Sequence, residues 1–64
     1  MDLKSRIVKY RAMHLLSQRQ MDDLLEEKKA TTYRIESGLY KTRATAEIRI
    51  SRKLDELERK ESDV

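Results

Sequence analysis

Sixty-four residues leave room for a single domain, 1–64, and a chain of this size buries only about 60% of the surface that its unfolded form exposes. With no cysteine and one histidine, His14, there is no disulfide, no thiolate site and no set of ligands for a zinc centre, so the fold must rest on its core or on a second copy. Charged residues make up 42% of the chain while the net charge is only +3, so the position of the charges matters more than their sum.

The chain has no proline and one glycine, Gly38, and it is rich in good helix formers, so it reads as all-α. Leu3, Ile7, Tyr10 and His14 or Met13 recur at spacings of three and four and predict a first helix from about Asp2 to His14. Ser17, with Gln20 three residues on, is a capping-box pattern opening a second helix from Gln18 to about Glu26, with Met21, Leu24 and Leu25 as its buried stripe. Asp22 and Asp23 fall early in that helix, where its dipole favours acids. A third, short and polar helix is expected from about Lys28 to Ser37, with Ile35 as its one firmly apolar residue and Gly38 as its left-handed terminator. A helix with so little to bury invites a functional explanation. Ile48, Ile50, Leu54 and Leu57 predict a long last helix, about 45–61.

No stretch approaches the roughly 18 consecutive apolar residues of a membrane span, and Asp2, Lys4, Arg6, Lys9 and Arg11 stand where a signal peptide would be apolar. The expectation is a cytoplasmic protein with no membrane partner. The basic excess is segmental. Residues 1–16 carry Lys4, Arg6, Lys9 and Arg11 against Asp2, and residues 28–45 carry Lys28, Lys29, Arg34, Lys41 and Arg43 against Glu36, a distribution suited to a face that meets a polyanion.

Arg11, Ser17-Gln18, Met21, Leu25, Thr31 and Arg34-Ile35-Glu36 with Gly38 fall, without a gap, at the spacing of a known family. Over roughly Ile7 to Leu54 the chain resembles the lambda-repressor, Cro and Xre superfamily. The resemblance implies a compact four- to five-helix domain with a long C-terminal helix and a helix-turn-helix at about 17–38. It further implies a partly buried ion pair between Arg11 and Glu36, tying the first helix to the third, and double-stranded DNA as partner. In that family the third helix enters the major groove, about 12 Å wide, where each base pair shows a distinct pattern of donors and acceptors. The positions that would face the bases are Lys28, Lys29, Ala30 and Thr31, with Tyr33 and Arg34 further along. Lys29 and Arg34 can donate to guanine, Thr31 can bond a base or phosphate, and Ala30 can touch a thymine methyl. Gln18 matches the family's phosphate-contacting and bracing glutamine, and Ser37, Tyr40, Lys41 and Arg43 are expected against the sugar-phosphate chain.

Four positions depart from the family pattern: Asp22 in place of alanine, Glu26 in place of a turn glycine, and Glu27 and Thr32 in place of aliphatic residues. The glutamate at the turn is expected to favour a longer second helix over a tight turn, since a left-handed backbone costs a side-chain-bearing residue roughly 1–2 kcal/mol. Glu26 and Glu27 are also expected to repel phosphates. Nothing points to catalysis. His14 has no nucleophile at a telling spacing, the acids of the second helix read as a solvated face, no glycine loop cradles a phosphate, and no cofactor is implied.

The sequence therefore reads as a small sequence-specific transcriptional regulator, repressor or Cro-like, which binds DNA as a homodimer with the last helix as dimer element. A phage or other mobile element is the expected setting by family analogy alone. The alternative keeps the scaffold but binds another repressor protein, as an antirepressor or modulator.

Overall fold

The computed structural model describes residues 2–39 and 43–62. They form four helices, α1 (Leu3–His14), α2 (Gln18–Leu24), α3 (Thr31–Ser37) and α4 (Ala44–Ser62), and no strand. None of these helices is long and apolar enough to cross a membrane. The radius of gyration, 11.0 Å, is close to the roughly 11 Å of a packed domain of this length, so the helices close on one core.

Local chemistry explains where the first two helices begin. Asp2 caps α1, its Oδ1 accepting from the Ser5 N–H at 2.8 Å. Ser17 caps α2 reciprocally: its Oγ accepts from Gln20 N–H at 3.0 Å while Gln20 Oε1 accepts from Ser17 N–H at 2.8 Å. α1 ends on Leu15 in the left-handed region (φ 54°), and Leu16 N–H closes back on Arg11 O at 3.0 Å. α3 ends on Gly38 (φ 75°), the residue type that adopts this conformation without strain.

The core is assembled from Ile7 and Tyr10 of α1, Met21 and Leu25, Ile35 of α3, and Ile50 and Leu54 of α4, with Leu3, Leu16 and Leu57 packed at its edge. α3 lies against both α1 and α2, and α4 lies against α1. The apolar pattern predicts Ile48 in the core stripe of α4, but its side chain is 53% exposed. The reason is geometric: at 3.6 residues per turn Ala46, Ile50, Leu54 and Leu57 share one face, and Ile48 stands nearly opposite. Leu24, also assigned to a buried stripe, is exposed; of the two alternatives for the last position of the α1 stripe, Met13 is exposed, whereas the His14 ring lies against Tyr10 with centroids 4.3 Å apart.

Arg6 ties α1 to α4 from outside the core. Its guanidinium donates to Ser51 Oγ at 2.9 Å and to Asp55 Oδ1 at 2.6 Å, with Glu58 at 3.4 Å.

Candidate nucleic-acid interface

The third helix is shorter than its sequence predicts. Lys28, Lys29 and Ala30 precede it instead of forming its first turn, because Ala30 adopts a left-handed conformation (φ 71°) that no helix can pass through. Ala30 offers no side-chain cap. The missing acceptor comes from α2. Asp22, 3% exposed, receives Ala30 N–H on Oδ2 at 2.9 Å and Thr32 N–H on Oδ1 at 2.7 Å, so a carboxylate 8 and 10 residues upstream caps α3 at long range.

The turn between α2 and α3 is tight. Leu25 N–H bonds to Met21 O, Glu26 N–H to Asp23 O and Glu27 N–H to Asp22 O, and Glu26 takes φ 56°. The expectation of a longer second helix in place of the turn is therefore overturned: α2 stops at Leu24, and a glutamate occupies the left-handed position. Two contacts with α4 accompany this strain. Glu26 Oε2 lies 2.9 Å from Lys53 Nζ, and Glu27 makes a two-pronged pair with Arg49, both contacts at 3.0 Å. The ammonium of Lys53 hydrogen-bonds the Glu26 carboxyl and holds it below its ordinary pKa, while Glu26 in turn raises Lys53 above its own. Both acids are thus paired with bases of α4 within the chain.

The inner end of α3 is held just as firmly. Arg11 Nη1 lies 2.7 Å from both carboxylate oxygens of Glu36, and its Nε donates to Leu16 O at 3.1 Å. Gln18 Nε2 donates to Glu36 Oε1 at 3.2 Å, so one carboxylate joins α1, α2 and α3. The side chains of Arg11 and Glu36 are only 23% and 14% exposed, which shields the pair from water.

What α3 turns inward is Thr31, Thr32 and Ile35, all buried. Thr31, assigned from sequence to a base or phosphate contact, instead donates its hydroxyl to Lys28 O at 2.7 Å. Thr32 fills the aliphatic position completely, with its Oγ1 buried and unbonded among the described residues. Outward stand Tyr33, Arg34 and Ser37, within about 100° of one another around the helix, preceded by exposed Lys28 and Lys29. None of these five side chains has a hydrogen bond or ion pair among the described residues. Ala30 is half-buried between them. Arg43 is exposed ahead of α4, and Tyr40 and Lys41 lie outside the described residues.

Sequence reasoning missed three members of this region: Asp22 as the cap of α3, and Arg49 and Lys53 as the partners of the turn acids. Among the described residues no cluster of His, Asp or Glu is placed to hold a metal ion. Compared with protein-family models, curated proteins and solved structures, the chain matches none.

Proposed function

We infer that the chain is a sequence-specific DNA-binding regulator in which α2, the turn and α3 act as a helix-turn-helix, as the resemblance to the lambda-repressor, Cro and Xre superfamily implies. The observation that carries this reading is the contrast between the two faces of α3. Its inner face is fixed at both ends, by Asp22 at the start and by Arg11, Gln18 and Glu36 at the finish. Its outer face presents Tyr33, Arg34 and Ser37, continued by Lys28 and Lys29, with no side-chain hydrogen bond or ion pair among the described residues. A rigid short helix with free hydrogen-bonding side chains is what reading base edges requires, because donors must meet acceptors of fixed position across the groove.

In this reading Arg34 and Lys29 approach guanine edges, Tyr33 and Ser37 meet sugar or phosphate, and Lys28 and Arg43 bind phosphate. One module of this size makes few contacts, so two copies occupy half-sites about one helical turn apart. Occupancy of an operator then blocks or guides polymerase. The alternative, in which a repressor protein is the partner, draws its motive from Glu26 and Glu27, from the polar Thr32 and from the mixed-charge tail; of these, Glu26 and Glu27 are paired with Lys53 and Arg49 of α4 and Thr32 is buried.

The test is selection from a random duplex pool, followed by titration of the enriched duplex at several salt concentrations. The expected result is a two-part motif, affinity that falls steeply with salt, and a loss of about 1–3 kcal/mol for Lys29→Ala or Arg34→Ala. No enriched motif, or two alanine variants that bind as tightly as the parent, would sink the assignment.

A further inference from the structure

Leu15 carries two costs that the fold does not offset. As the residue that ends α1 it adopts φ 54°, a left-handed conformation strained for a leucine, and its side chain is 91% exposed. An exposed apolar side chain alone is ordinary, and so is a left-handed residue after a helix, where glycine or asparagine is the usual occupant. Leucine combines the two and buries almost none of itself, whereas glycine would end the helix with less strain and no apolar surface. Strain of this kind collects where a side chain serves a ligand or a partner.

Leu15 also completes a row. Val8, Ala12 and Leu15, at i, i+4 and i+7, fall within about 60° of one another around α1, and all three are exposed, while Ile7 and Tyr10 turn to the core. The small Ala12 between two larger apolar side chains lets the ridge of a facing helix come close. Charge then selects the occupant. Lys4 and Lys9 flank the row on its two sides, and Arg19 is exposed four residues past Leu15. None of these three bases has a side-chain hydrogen bond or ion pair among the described residues. Arg6 and Arg11, the other bases of α1, are held by Asp55 and Glu36. Asp2, the only acid among residues 1–21, is engaged in capping α1 through Ser5. A second copy on this face would set bases against bases, and a phosphate chain offers anions but no apolar ridge to cover Val8 and Leu15.

We propose that Val8, Ala12 and Leu15 are a docking surface for an acid-flanked amphipathic helix of another protein, whose apolar ridge covers the row and whose carboxylates meet Lys4, Lys9 and Arg19. The surface uses none of the outward residues of α3, so this proposal and the DNA reading can fail separately.

Titration of the whole ¹⁵N-labelled chain with a synthetic peptide of three heptads, leucine at its core positions and glutamate at the flanking ones, locates the contact residue by residue. At low salt the expected result is saturable amide shifts confined to Lys4–Arg19, half complete at about 100 μM peptide. V8E, L15G and the K4E/K9E pair each weaken binding roughly tenfold, and a peptide with lysine at every glutamate position leaves the spectrum unchanged. L15G at the same time raises Tm by about 4 °C, a split between stability and binding that a merely structural leucine does not give. Four results would overturn the proposal: no shifts up to about 1 mM peptide, shifts centred on α3 or α4, an equal response to the lysine peptide, or an L15G chain that melts below the parent. Shifts on this face from phosphatidylglycerol vesicles or a DNA duplex, with none from the acidic peptide, would also overturn it and assign the face to a membrane or to DNA.

Discussion

Asp22 shows how one buried side chain decides the shape of a neighbouring element. Its two oxygens serve two backbone amides, Ala30 and Thr32, that would otherwise be left at the uncapped start of α3. Replacing it by alanine strands both, and a buried donor without an acceptor costs about 1–3 kcal/mol. Asp22→Ala is therefore expected to lower Tm by roughly 4–8 °C for each kcal/mol lost in a domain of this size, and thermal or urea unfolding measures it. An unchanged melting curve would remove Asp22 from this role. Nothing in the linear order of residues signals it. An aspartate in the early part of a helix reads as a dipole partner or a solvated charge, and only the folded turn brings Ala30 and Thr32 back to it. Thr32 is the converse case: its position asks for an aliphatic side chain, and it is buried as one, with its hydroxyl unsatisfied.

Among the elements, those with local signals were legible and those set by tertiary contact were not. The capping box at Ser17 and Gln20, the spacing of Ile7 and Tyr10, and the glycine at 38 all act within a few residues, so α1, α2 and the end of α3 fall close to where the pattern puts them. The start of α3 was misplaced by three residues because alanine favours helices, and Ala30 takes a left-handed backbone imposed from outside its own segment. Ile48 was misassigned because its apolarity was counted without its angle around α4. The contact of Arg11 with Glu36 was legible only through resemblance, since 25 residues separate the two. As the carboxylate also receives Gln18, loss of the guanidinium weakens the union of α1 with α3 and leaves Glu36 poorly paired. Arg11→Ala is expected to cost about 2 kcal/mol, in keeping with a half-buried charged hydrogen bond, and urea denaturation checks it.

At the scale of the whole molecule, ion pairs on its surface make stability depend on pH in a predictable direction. The Glu26 carboxyl is held below its ordinary value of 4.5 by the hydrogen bond from Lys53, and the Asp2 carboxyl is held below 3.8 by the Ser5 N–H. Each contribution is present above the unfolded pKa and is lost as pH falls through the folded one. Lys53 is held above 10.5 by Glu26, so its share persists below that pH and is lost as pH rises through the raised value. Tm is therefore expected to stay level across neutral pH and to decline below about 4.5, with a shallower acid decline in Lys53→Met. Identical acid limbs in the two proteins would show that the pair contributes nothing. The side chains facing outward on α3 make no ion pair among the described residues, so that surface can be altered without breaking these contacts.

The seven-residue length of α3 carries a last consequence. Isolated helices shorter than about 12 residues are marginal in water, and this one begins on a cap lent by α2 and ends on a carboxylate held by α1. Its outward face is thus a property of the assembled chain and not of the segment. A synthetic peptide covering residues 28–38 would carry the same side chains with none of their fixed geometry, so the surface cannot be transplanted without α1 and α2, which hold it.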